Sequence, residues 1–192
     1  MYNPVAVSYA LASALAMSTS PPHHQPRSSE IQYCNPLPYG AGPVPSPDTA
    51  DAFLASRELF TIAKAASTPS GYTQAYANLH ASSTASDYLG FVPLDTYNTS
   101  ECSSQCDIRS GCASFNIFFE RAPLQHVGDA CKDPDSTTMI KCVLWGGKVG
   151  VKNAENEGYK VEDFEVKIAG SNGYIKIGKP AGGQTTGGGK SG

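Results

Sequence analysis

The chain reads as an α+β domain, strands with a short cysteine-bearing helix among them, stabilised by disulfides and flanked by disordered arms. Three observations predict this. Six cysteines occur in 192 residues, five of them between Cys102 and Cys142. That density marks a domain that restrains its unfolded chain covalently, in an oxidising compartment. Two runs rich in aromatic and branched residues, Cys112 to Phe119 and Lys141 to Trp145, have the pattern of strands buried on both faces. Between Thr99 and Gly111 the chain carries a cap, a first-turn acid, thiols at i and i+4 and a glycine stop, which together specify a short helix.

Composition narrows the function classes. Charged residues are 16% and the formal net charge is -3, so there is no clustered basic face for nucleic acid. Glycine and proline concentrate outside the middle of the chain, which places the compact core between Gly71 and Ile177. The domain reading is a leader over 1–16, a Pro/Ser-rich arm over 17–47, a helical segment and linker over 48–70, the disulfide-bearing domain over 71–177 and a Gly-rich tail over 178–192.

Val5 to Met17 is an apolar run of 13 residues, too short to span a bilayer. Its length fits the core of a secretory signal, and Ala14-Leu15-Ala16 supplies a small-x-small cleavage pattern, although Met1-Tyr2-Asn3-Pro4 has no basic side chain. No other segment is apolar enough to cross a membrane, so the expected product is secreted and extracellular. Pro21-Pro22, Asn35-Pro36-Leu37-Pro38 and Pro43 to Pro47 favour an extended, poorly ordered arm. Cys34 in that arm predicts a disulfide pinning it to the core. His23-His24 is read as a solvated pair.

One helix is expected over Asp48 to Ser67. Asp48 or Thr49 caps it, Phe53, Leu59, Ile62 and Ala63 recur at helical spacing, and Thr68-Pro69-Ser70-Gly71 ends it. Gly71 to Ala85 alternates loosely and reads as a strand; Tyr88 to Val92 reads as a second, ended by Pro93. Thr99 or Ser100 caps the central helix. Cys102 and Cys106 lie on one face of it with nearly parallel side chains, so they pair elsewhere rather than with each other. Glu120 to Ile140 is polar and turn-rich, a long loop that Cys131 ties down. Glu162 to Ala169 alternates cleanly as a half-buried strand, and Gly173 to Ile177 adds one more.

A helix with C-x3-C, a third cysteine entering an aromatic strand after five more residues, and a distant cysteine in a C-h-h-aromatic strand (h, apolar) resembles the PAN/apple domain. The likeness is greatest to apple-like domains of secreted fungal proteins, in which runs similar to Phe115 to Arg121, Lys141 to Gly147 and Ile168 to Tyr174 recur together. It covers about Gly71 to Tyr174. The resemblance implies a helix on a mainly antiparallel sheet, with Cys102–Cys142 and Cys106–Cys112 as its two disulfides; Cys34 and Cys131 remain outside that pattern as a third pair. Six cysteines permit about 15 pairings. In the loop-entropy treatment the longer family bridge contributes about 4 kcal/mol and the shorter about 2 kcal/mol.

Candidate chemistry is sparse. Cys102, Cys106, Cys112 and His126 offer four zinc ligands, but the second closely spaced pair of a structural zinc site is absent. There is no G-x-S-x-G, and neither His80 nor His126 has a context marking it as a base. Glu120-Arg121, ending a central strand, reads as an ion pair at the sheet rim. The Gly-rich tail imitates a phosphate loop, but Gln184 stands where the first glycine belongs. Asn98-Thr99-Ser100 is an N-glycosylation sequon next to the helix start, which makes Asn98 a sugar acceptor in a secreted chain, the alternative being that Asn98 forms a turn or cap. No cofactor and no metal is implied. The expected role is a non-catalytic module with a protein or carbohydrate partner, Tyr88, Tyr97 and Tyr159 being the aromatics available to stack on sugar. The alternatives are a structural cell-wall or surface protein and an enzyme without a recognisable motif.

Overall fold

The structure, a computed structural model, describes residues 34–178. The leader over 1–16, His23-His24 and the phosphate-loop-like run from Gly182 to Gly192 lie outside these residues.

The elements in chain order are α1 (Ala50–Leu54), α2 (Arg57–Ala65), β1 (Tyr72–Leu79), β2 (Ser82–Ser83), β3 (Tyr88–Leu94), α3 (Thr99–Ile108), β4 (Ser114–Pro123), β5 (Ser136–Trp145), a 3-10 turn (Val151–Asn153), β6 (Ala154–Asn156), β7 (Gly158–Val161) and β8 (Phe164–Lys176). A six-stranded antiparallel sheet runs in the order β1-β8-β4-β5-β3, with β7 also pairing with β8; β2 and β6 form a separate two-stranded ribbon. The architecture is therefore α+β and mostly antiparallel sheet.

β4 and β5 form its centre, paired without a break from Ser114↔Trp145 to Pro123↔Ser136. Because alternate residues face opposite sides, Phe115, Ile117 and Phe119 of β4 and Ile140, Cys142 and Leu144 of β5 fill the main core under the helices. Phe115 stacks on Tyr174 and meets Tyr72 edge-on, with centroids 4.9 and 5.1 Å apart.

α3 has almost no large apolar side chains with which to dock. Its buried residues are Thr99, Cys102, Ser103 and Cys106, and sulfur does the work of an apolar stripe. Cys102 is bonded to Cys142 of β5, and Cys106 to Cys112 just before β4, with Cα atoms 5.5 and 5.3 Å apart. The third bond joins Cys34 to Cys131 at 5.5 Å, so no described cysteine is free.

Several elements differ from their sequence-based expectation. The single helix over Asp48 to Ser67 is two, broken at Ala55-Ser56, because Thr49 and Ser56 each cap a helix by accepting from Ala52 N–H and Leu59 N–H. Both pack on β8, so α3 is not the one helix on the sheet. The strand over Gly71 to Ala85 divides into β1 and β2. β3 passes through Pro93 to Leu94; Pro93 sits opposite Lys141 on an edge strand, where an absent N–H costs no ladder bond. Asn98, not Thr99 or Ser100, caps α3, accepting from both Ser100 N–H and Glu101 N–H. Gly111, at φ +78°, turns the chain three residues after α3 rather than at its end. The long loop over Glu120 to Ile140 is largely the β4–β5 hairpin, and the two last expected strands are one, β8.

The described part of the arm is also ordered. Leu37 N–H donates to Leu124 O at 2.8 Å, Gly42 N–H to Thr138 O at 2.9 Å and Thr138 Oγ1 to Pro43 O at 2.7 Å. Proline cannot propagate a helix or a central strand, but an extended proline-rich segment can lie along a hairpin and use its remaining amides.

Candidate functional site

The face of the sheet away from the helices is only partly covered. The β2–β6 ribbon and Val149 close its middle over Tyr76 and Trp145. The part formed by β3, β5 and β4 stays open as a groove of about 320 Å³.

Its floor follows from strand parity. Phe118 and Glu120 of β4 and Lys141, Val143 and Trp145 of β5 occupy the outward positions between the core-facing ones. β3 adds Tyr88 opposite Trp145 and Phe91 opposite Val143, with a register shift between them at Gly90, where φ is +105°. Three steps along β3 therefore match two along β5, and a backbone reaching positive φ is best supplied by glycine. This bulge puts both rings in the groove.

Tyr88 is 58% exposed and Phe91 49%, whereas Phe118 and Trp145 are buried. Tyr88 meets Trp145 edge-on at 5.3 Å, and the Lys141 ammonium lies 5.0 Å from the centre of the Phe91 ring. Glu120 pairs with Lys141 at 2.5 Å, so the groove's two charges neutralise one another. Trp145 Nε1 has no hydrogen-bond acceptor among the described residues.

The wall is the ribbon, with Ser82, Thr84 and Asn156 lining the groove. Asn156 Nδ2 donates to Ser82 Oγ at 2.8 Å. Asn116, fully buried, fixes the ribbon to the sheet: its Oδ1 accepts from Ser83 N–H at 2.9 Å while its Nδ2 donates to Ser171 Oγ and Asn172 O, both at 2.9 Å. Tyr76 supports the same point through a 2.7 Å bond to Ser83 Oγ. A Cβ on Gly173 would stand 2.3 Å from the Tyr76 ring, so this packing requires glycine there.

The structure separates the three tyrosines named from the sequence. Tyr88 is in the groove. Tyr97 lies elsewhere, half-buried in a separate cleft with Ile62 and Phe119, and its hydroxyl is engaged: it meets the carbonyl oxygens of Ile117 and Gly170 at 3.0 and 2.5 Å, and burial pushes it well above its ordinary pKa. Tyr159 is exposed on β7, which pairs with β8, while Tyr88 belongs to β3 at the opposite edge of the sheet. Phe91, Trp145 and Asn156 were not singled out from sequence, because their common face depends on the bulge and on the return of the ribbon. The adjacent Glu120-Arg121 pair also separates. Successive strand residues face opposite ways, so Glu120 meets Lys141 and Arg121 meets Asp48 at 3.0 Å.

Cys102, Cys106 and Cys112 are covalently paired and present no thiolate to a metal, and among the described residues no three His, Cys, Asp or Glu side chains gather as a ligand set. This overturns the zinc alternative built on them with His126. Asn98 is exposed; its Oδ1 is engaged in capping α3, while Thr99 is buried with its hydroxyl on Ser67 O at 2.7 Å. No described helix is long and apolar enough to cross a membrane.

No protein-family model, curated protein or solved structure matches the chain.

Proposed function

We propose that the chain is a secreted, non-catalytic binding module of the apple/PAN type, and that it takes a carbohydrate in the groove formed by β3, β4 and β5. The observation that carries this reading is the pair of half-exposed rings, Tyr88 and Phe91, set on one face beside a wall of hydroxyl and amide groups. A sugar ring offers an apolar C–H face and a polar rim. Aromatic side chains match the first, and Ser82, Thr84 and Asn156 match the second. The neutralised Glu120–Lys141 pair suits an uncharged ligand and supplies a donor and an acceptor.

The apple/PAN assignment rests on the helix carrying Cys102 and Cys106, bonded to a central strand and to the segment entering its neighbour. Three disulfides support an oxidising, extracellular address, and in that setting Asn98 carries an N-linked glycan.

The test is a glycan array probed with the secreted protein, followed by titration of the ligand found against Tyr88→Ala and Phe91→Ala. Binding lost in both variants, with melting temperatures unchanged, is the expected result. An array without signal, or binding indifferent to both substitutions, removes the groove as a carbohydrate site.

A further inference from the structure

The groove carries its two exposed rings at a fixed interval. Tyr88 stands opposite Trp145 and Phe91 opposite Val143. Those partners are two positions apart on β5, so the rings are set about 7 Å apart along the sheet. That interval is on the order of one sugar unit in an extended chain. β3 offers no third ring of this kind. It begins at Tyr88, and its next position on this face after Phe91 is Pro93, opposite Lys141.

Each ring is held by one neighbour and still open to solvent. Tyr88 is edge-on to the buried Trp145 at 5.3 Å, and Phe91 has the Lys141 ammonium 5.0 Å from its centre. Rings braced in this way lose little freedom when a ligand covers them. Beside them the ribbon presents Thr84 and Asn156, both exposed. The groove, at about 320 Å³, is at the small end of the range for ligand sites. Its only charged groups, Glu120 and Lys141, are paired with each other.

We propose that the groove recognises two consecutive units of an uncharged glycan whose sugars are joined equatorially, so that the chain runs straight. One pyranose covers Tyr88, the next covers Phe91, and the chain lies along β3. This rests on the carbohydrate reading above and narrows it. Both platforms project from one strand, so only a chain that keeps its direction covers the two together; a coiled chain turns its second ring away. A uronic acid or sulfated chain finds no free cation, because Lys141 already has its carboxylate.

The test titrates the isotope-labelled secreted protein with glucose and the cello-oligosaccharides up to the tetramer, with the matching N-acetylglucosamine series, and with maltotetraose as the coiled counterpart, while amide shifts are followed by NMR. In at least one straight series the dimer is expected to bind about tenfold or more tighter than the monomer, the scale of one added aromatic contact. The trimer and tetramer are expected to stay within about threefold of the dimer, and maltotetraose to bind no better than glucose. In Tyr88→Ala, and equally in Phe91→Ala, the dimer's advantage over the monomer is expected to disappear, because one platform remains. A monomer that binds as tightly as the dimer, an affinity still climbing at the tetramer, or equal binding of maltotetraose would each overturn the two-unit inference; if both alanine variants still lose binding, the groove stands as a carbohydrate site without it. The absence of a saturable shift in both straight series also overturns the inference, and the glycan array then decides the wider reading independently.

Discussion

Tyr88 and Phe91 stand three residues apart on β3 yet occupy the same face of the sheet, opposite Trp145 and Val143 respectively. In a regular strand this odd spacing would put one ring into the core and the other into solvent. The bulge at Gly90 removes that conflict. Two expectations follow. Tyr88→Ala and Phe91→Ala each weaken carbohydrate binding about 30-fold or more, the scale of a central aromatic contact, and change stability by about 0.5 kcal/mol or less. Tyr159→Ala, at the other edge, leaves binding unchanged. Titration calorimetry and thermal melts measure both.

Asn116 links the core to the groove. Asn116→Ala leaves Ser83 N–H and Asn172 O without their buried partners, a loss of about 2 to 4 kcal/mol. The ribbon that carries Ser82 and Thr84 then loosens, so the same substitution should also weaken ligand binding. Chemical denaturation and titration under folding conditions separate the two effects. Full stability with lost affinity, or the reverse, would contradict this link.

Asp48 ties the segment before α1 to the central hairpin. Its carboxylate accepts from Arg121 Nη2 at 3.0 Å and from Ser136 N–H at 2.7 Å, and Arg121 is almost fully buried, with its guanidinium 4.3 Å from the centre of the Phe164 ring. Asp48→Ala strands that buried cation and should cost about 2 to 3 kcal/mol. Burial opposes ionisation of Asp48, but Ser136 and Arg121 outweigh it and hold the carboxyl below its ordinary value. Its contribution is therefore fully present above the unfolded value of about 4 and is lost as pH falls through the lower folded value. Asp107 is held low in the same sense: the hydrogen bond from Lys176 is the largest effect, burial opposes it, and the Tyr72 hydroxyl and the Lys176 charge add to the lowering. Denaturation curves at neutral pH and near pH 3 should show the wild type losing stability on acidification and Asp48→Asn losing less of it.

The disulfides rank by the loops they close. Removing Cys102–Cys142 as a double alanine variant should cost about 4 kcal/mol and removing Cys106–Cys112 about 2 kcal/mol. The first loss is deepened because sulfur is most of what docks α3. Guanidinium denaturation of the two variants tests the order; equal midpoints would contradict it.

Asn98 separates modification from capping. Asn98→Asp keeps an oxygen on the amides of Ser100 and Glu101 and removes the glycan acceptor, so the secreted protein should lose its sugar mass with stability preserved. Asn98→Ala loses both, at about 1 kcal/mol for the cap. Intact-mass spectra before and after glycosidase treatment, with thermal melts, measure the two outcomes.

Sequence alone determined the elements whose signal is local. The runs Phe115 to Phe119 and Cys142 to Trp145 read as central strands, because aromatic and branched residues fall on both parities of short runs. Cys102 and Cys106 had to find partners off the helix, because side chains one turn apart run nearly parallel. Tertiary structure decided what depends on registry between distant segments. It ordered the arm after Cys34 along the hairpin, broke the first helix between two competing caps, merged the last two strands and sent Glu120 and Arg121 to different partners. It also placed Tyr88 beside Phe91 and left the Asn78 side-chain nitrogen without an acceptor among the described residues. The physical reason is that side-chain type and period report whether a residue prefers burial, whereas a bulge, a ribbon crossing or an orphaned donor arises only when two strands far apart in the chain are brought into one register.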